Sequence, residues 1–154
     1  MNIAIILSGG VGTRMGEACP KQYIKVAGKP IINYCVETFC NNPRIDKIVI
    51  CLADEWRAFV EESLKDIVTT QSIIYSKPGR TRQFTIYNAL EKLESVGIAS
   101  DDVVIIHDAA RPLVSQQLID ACLDENRICD GVLPVIPVKD TIYMSHDGKN
   151  IDAL

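Results

Sequence analysis

The sequence predicts an α/β domain of the Rossmann-like, doubly wound type: a mostly parallel sheet with helices on both faces. Three observations carry that prediction. Short β-branched runs recur without polar alternation, the pattern of strands covered on both sides. Stretches with helical apolar spacing lie between them. No repeat, low-complexity tract or internal linker interrupts the series. The first strand is read over residues 3–7 (IAIIL), the second over 47–52, the third over 72–75, the fourth over 103–106 and a fifth over 131–135. Helices are expected over 31–39, 53–67, 81–96 and 115–128. Asp54 and Glu55 suit the positive N-terminal end of the second helix, and Phe84, Tyr87, Ala89, Leu90 and Leu93 fall near one face of the third. Ser115 supplies a cap for the fourth. Strands alternating with helices imply βαβ units with right-handed crossovers. The tail changes character: residues 141–151 read as a hairpin turning at Asp147-Gly148. The expected division is a core over 1–140 and the start of a β-arm over 141–154.

At 154 residues the chain fits one domain of the usual ~150 residues. Hydrophobic residues make up 47% and charged residues 23%, which excludes a disordered chain. A net charge of −4 argues against a dedicated nucleic-acid binder, while leaving room for a local anion site. Cys19, Cys35, Cys40, Cys51, Cys122 and Cys129 form no CxxC pair and no cluster with His107 or His146. They are expected as buried, reduced thiols of a cytoplasmic protein rather than zinc ligands. No apolar run approaches the ~18 residues of a membrane span, and residues 3–7 are too short an apolar stretch for a secretory leader.

Ligands of open α/β sheets sit beyond the carboxyl ends of the strands, and three loops there carry unusual residues. The first runs from Ser8-Gly9-Gly10 through Gly12 and Arg14 to Cys19-Pro20-Lys21-Gln22-Tyr23. It is not a P-loop, because Thr13 and Glu17 follow the glycines, and it is not the dinucleotide fingerprint, because Met15 stands where Gly or Ala belongs. Glycines here serve either a tight turn or a backbone cradle for phosphate. Arg14 and Lys21 favour the cradle, since two fixed cations can neutralise a triphosphate and the charge that builds at phosphorus. The second loop, Pro78-Gly79-Arg80-Thr81-Arg82-Gln83-Phe84-Thr85, reads either as a solvated helix start or as part of that site. The third, His107-Asp108-Ala109-Ala110-Arg111-Pro112, follows the fourth strand directly. Asp108 can accept a hydroxyl or help hold Mg2+, and Arg111 can meet a phosphate; alternatively the two form a loop-stabilising ion pair. His107 reads as a packed histidine rather than a base.

Residues 9–15 with Pro20-Lys21-Gln22 resemble the signature of sugar- and polyol-phosphate nucleotidyltransferases. With Cys19-Pro20-Lys21-Gln22-Tyr23, strand-His107-Asp108-Ala109-Ala110-Arg111-Pro112 and Pro137-Val138-Lys139-Asp140-Thr141, the resemblance narrows to the cytidylyltransferases of 2-C-methyl-D-erythritol 4-phosphate and ribitol 5-phosphate. It implies CMP transfer from CTP to a polyol phosphate, with Mg2+ as cofactor. Arg14 and Lys21 are then the catalytic cations. Ser8, Gly9, Gly10, Gly12, Gly79, Thr85, Asp108 and Ala109 take the nucleotide, Arg111 and Thr141 the acceptor, and Asp108 the metal. Pro78-Gly79-Arg80 departs from the family's more frequent Gly-Gly-Asp or Gly-Gly-Thr, which leaves the role of Arg80 open. The resemblance further implies a homodimer built through an extended arm. It implies too that the chain lacks the strands, helix and lysine following that arm in the family. A non-catalytic nucleotide-binding fragment is the reading from a different class.

Overall fold

The computed structural model describes residues 1–10 and 19–152. Its centre is a four-stranded parallel sheet formed by β1 (Asn2–Leu7), β4 (Lys47–Cys51), β5 (Ser72–Ser76) and β6 (Val103–Asp108), in the order β5-β4-β1-β6. The chain starts in the middle, steps outward through β4 and β5, then crosses back to lay β6 on the other side of β1. Ile3 pairs with Lys47 on one flank and Asn2 with Val103 on the other. The order therefore reverses at β1, and a crevice opens there beyond the carboxyl ends of β1 and β6.

Alternation along β1 assigns its side chains to two cores. Ala4 and Ile6 pack with Ile48 and Ile50 against α1 (Ile31–Cys40), α2 (Asp54–Leu64) and α4 (Gln116–Glu125). Ile3 and Ile5 pack with Val49 and Cys51 against α3 (Arg82–Glu94) through Ala89 and Leu93. Helices thus cover both faces as expected, but three lie on one side and one on the other. The caps follow the sequence: Thr81 accepts a hydrogen bond from the Phe84 amide at 3.3 Å, and Ser115 one from the Leu118 amide at 3.2 Å.

A two-residue-per-strand hairpin, β2 (Lys25–Val26) and β3 (Lys29–Pro30), was not legible beforehand. Its turn places Ala27 at φ 50° and Gly28 at φ 81°, the double positive φ of a type I′ turn. A 3-10 turn, Lys21–Tyr23, precedes it.

Two expectations fail toward the C-terminus. Residues 131–135 form no strand; Leu133 and Val135 are exposed, and the segment runs beside β6 and α4 without pairing. Apolar content is not enough for a strand, which exists only through a partner ladder. None of the described residues supplies that ladder, and Pro134 and Pro137 remove two donors. The tight Asp-Gly hairpin is also absent. The Met144 carbonyl accepts from the Asp152 amide at 2.8 Å, and the intervening residues wrap around Asp147. Its carboxylate takes the Lys149 and Asn150 amides at 2.7 and 2.8 Å. These local bonds compete with a two-residue turn, and they hold the Asp147 carboxyl well below the usual range.

All six cysteines are free thiols, but only Cys35, Cys40 and Cys51 are buried. Cys19 and Cys122 are half-buried, and Cys129 is exposed, because the segment carrying it joins no core. Burial pushes the Cys35 and Cys51 thiols up to about 12. A colorimetric disulfide reagent at neutral pH is therefore expected to titrate Cys129 first and leave Cys35 and Cys51 untouched until denaturant is added. Rapid labelling of either in the native chain contradicts this packing.

Candidate active site

The crevice beyond β1 and β6 is a cleft of about 600 Å³, within the ~300–1,000 Å³ range of small-molecule sites. Gly9 and Gly10 reach it from the end of β1, Lys21 and Gln22 from the 3-10 turn, residues 79–82 and Thr85 from the start of α3, and Asp108, Ala110 and Arg111 from the end of β6. All three singled-out loops thus meet in one place. A slightly larger hollow, about 660 Å³, lies beneath the β2–β3 hairpin between α1 and α2. Its charges are of both signs, with Lys29 already paired to Glu37 at 2.6 Å, and it lies apart from the switch point.

The glycines are there partly because the loops abut. A Cβ on Gly9 would stand 2.2 Å from the Pro78 Cβ, and one on Gly79 would stand 2.5 Å from the Phe84 carbonyl carbon and 2.8 Å from the Thr85 nitrogen. Gly10, by contrast, has nothing among the described residues within 4 Å of its added Cβ and lines the cleft. The loops are also braced from behind. Thr85 Oγ1 accepts from the Gly79 amide at 2.9 Å and donates to the Thr81 carbonyl at 3.0 Å. Gln22 Nε2 donates to the Ser8 and Gly10 carbonyls, both at 2.8 Å. The Tyr23 hydroxyl donates to the Ser8 carbonyl at 3.0 Å and accepts from Ser8 Oγ at 2.9 Å, while its ring stacks on Trp56 at 4.6 Å. Burial raises the Tyr23 pKa, so this hydroxyl remains a donor at neutral pH.

Electrostatically the cleft suits an anion. Lys21, Arg80, Arg82 and Arg111 line it against one carboxylate among the described residues, Asp108. Arg111 Nε donates to Asp108 Oδ2 at 3.1 Å, and Arg82 Nη2 approaches Oδ1 at 3.4 Å. Arg80 lies with its guanidinium 4.6 Å from the centre of the Phe84 ring. His107 is not among the cleft residues. Burial lowers its pKa, and Nε2 lies 3.0 Å from the Arg111 carbonyl, so the neutral ring donates to that turn while its edge packs on Phe39.

The structure therefore brings Lys21, Gly9, Gly10, Gly79, Thr85, Asp108 and Arg111 together. Ser8 and Ala109 do not face the cleft, contrary to expectation. The Ser8 hydroxyl is buried on Tyr23. The Ala109 amide extends the sheet ladder to the Leu7 carbonyl at 3.0 Å, and its methyl joins the core beside α1. Thr85 lines the cleft, but its hydroxyl is already committed to the Gly79 loop. Thr141 stands exposed and is not among the cleft residues, since the unpaired run before it is not anchored to the sheet. Gly12 and Arg14 lie outside the described residues. Sequence reasoning passed over Gln22, Arg82 and Ala110 as site residues, although each sits inside a quoted motif. Among the described residues no three His, Cys, Asp or Glu side chains gather into a metal cage. Asp108 alone fits Mg2+ of the kind held by one carboxylate and substrate phosphates.

The comparisons with known proteins agree with this geometry. The family described as IspD, 2-C-methyl-D-erythritol 4-phosphate cytidylyltransferase, matches residues 2–153. A ribitol-5-phosphate cytidylyltransferase of Streptococcus agalactiae serotype Ia is 33% identical over 153 residues, covering 98% of this chain and 63% of the relative. A 2-C-methyl-D-erythritol 4-phosphate cytidylyltransferase of Clostridium beijerinckii is 37% identical over 152 residues, covering 98% and 65%. The crystal structure of 4-diphosphocytidyl-2C-methyl-D-erythritol synthase from Anaerococcus prevotii shares the fold, with a TM-score of 0.78, 22% identity, 99% of this chain and 63% of that one. The chain thus spans a little under two thirds of these relatives. It belongs to the 2-C-methyl-D-erythritol 4-phosphate cytidylyltransferase family.

Proposed function

We propose that this family member transfers CMP from CTP to a polyol phosphate, 2-C-methyl-D-erythritol 4-phosphate in the first instance, with release of pyrophosphate. The observation that carries the reading is the cluster of Lys21, Arg80, Arg82 and Arg111 around two abutting glycine loops at the switch point of the sheet. An acceptor phosphate oxygen attacks the α-phosphorus in line, the α–β bridging bond breaks, and pyrophosphate departs with the electron pair. The acceptor is already ionised at neutral pH, so no general base is required, and His107 is not among the residues lining the cleft. Catalysis then rests on holding the reactants in line and stabilising charge. Lys21 faces the cleft and supplies charge to the phosphates; Arg14 is assigned the same role on the family motif. Gly10 leaves room for phosphate beside the backbone, and Arg111 and Arg82 meet anions in exchange for Asp108. Bound Mg2+ would neutralise phosphate charge, with Asp108 as its protein ligand. Free thiols suit the reducing cytoplasm, and among the described residues no helix is long and apolar enough to cross a membrane. A homodimer is proposed on the family resemblance alone.

The test is incubation with CTP, Mg2+ and either methylerythritol phosphate or ribitol 5-phosphate, following pyrophosphate and the CDP-alcohol. The methylerythritol product is expected. Product only with ribitol 5-phosphate transfers the assignment to that acceptor, CTP binding without product with either leaves a nucleotide-binding module, and no CTP binding overturns the reading.

A further inference from the structure

We propose that Gln22 is a positioning residue for the nucleotide, acting through the backbone of the first glycine loop; this rests on the CTP-binding reading above. Its side chain is 4% exposed, and both hydrogens of its amide are spent on the carbonyls of Ser8 and Gly10, at 2.8 Å each. Two carbonyl acceptors at that distance admit only a donor, which fixes the amide with nitrogen toward the loop. The two acceptors flank Gly9. The peptide is planar and trans, so holding the Ser8 carbonyl toward Gln22 aims the Gly9 N–H the opposite way. Gly9 and Gly10 both line the cleft, so one side chain sets the orientation of backbone dipoles along its phosphate-facing edge.

Lys21 and Gln22 are adjacent in one 3-10 turn, yet one is exposed and the other buried. The turn thereby divides the work: Lys21 presents charge to the cleft, while Gln22 holds the loop beside it. Tyr23 completes the anchor by fastening Ser8 and stacking on Trp56. Sequence separations of 12 and 14 residues make these bonds tertiary rather than local turn contacts.

Two near-isosteric variants test this. Gln22→Glu turns one donor into a carboxylate oxygen facing two carbonyls, and Gln22→Met removes donors without adding charge. Titration with CTP at about pH 8 is expected to show affinity lowered at least about tenfold in both, with helical circular dichroism retained. On lowering the pH to about 5, the Glu variant regains part of its affinity relative to wild type, because burial at this position raises the carboxyl pKa and the protonated form donates one bond again; the Met variant does not. Variants within threefold of wild type overturn the proposal, as does a loss in both with no pH-dependent recovery in Gln22→Glu, which marks a purely structural glutamine. Wild type serves as the control. If it binds CTP while the variants match it, positioning fails and the functional reading stands. If wild type binds no CTP, the functional reading itself fails.

Discussion

Replacing Lys21 by alanine lowers turnover with CTP at least ~100-fold in the full-length enzyme, the scale of removing one preorganised charge stabiliser. Among the described residues four cations line the cleft, but they are not equivalent. Arg82 and Arg111 share the Asp108 carboxylate, and Arg80 lies over Phe84. Among the described residues no carboxylate pairs with Lys21. A charge that meets the phosphates as they gain charge lowers the barrier more than one already neutralised at rest. Lys21 is also exposed, so truncation leaves no buried partner behind, and the thermal midpoint should scarcely move. Steady-state kinetics beside a melting curve checks both halves. A loss of turnover below threefold removes Lys21 from the chemistry.

The second large effect is structural, and its contrast lies within the same cleft. Gly79→Ala forces a methyl to 2.5 Å from the Phe84 carbonyl carbon and 2.8 Å from the Thr85 nitrogen. Both are backbone atoms of the first turn of α3, so no flexible side chain can yield. The loop must move, which breaks the bond from the Gly79 amide to Thr85 Oγ1. Overpacking of this kind costs ~1–3 kcal/mol, or a fall in melting temperature of roughly 2–12 °C for a chain of this size. CTP affinity is expected to fall with it, because residues 79–82 form one wall of the cleft. Gly10→Ala meets nothing within 4 Å among the described residues, so its melting temperature should match wild type. Any loss of CTP binding in that variant then reports on space needed by ligand. Equal melting temperatures for all three proteins would show that Gly79 does not press on the first turn of α3 as described.

Much of the fold could be read from the chain because its signals are local. Unbroken β-branched runs such as Ile3–Leu7 and a Thr81 or Ser115 ahead of helical spacing depend on residues a few positions apart. Those strands and helices therefore appear within a few residues of where they were expected. The run over 131–135 has the same local appearance and fails, because pairing is a property of two segments. Asp147-Gly148 fails for the opposite reason: nearby amides satisfy the Asp147 carboxylate before a tight turn can form.

The site divides along the same line. By itself the sequence determined which loops line the cleft: glycines, Lys21, Asp108 and Arg111 fall after strands, and topology brings strand ends together. Only the tertiary structure decided what each side chain in those loops does. Ser8 and Ala109 belong to the same motifs as Lys21 and Asp108, yet they turn inward to Tyr23 and to the core beside α1. The sequence leaves Arg82 between a solvated helix start and the site and gives Gln22 no role of its own, because the carboxylate and carbonyls they bind come from other loops. Local periodicity specifies a backbone element, whereas a polar group's role follows from the partner that desolvation forces it to find.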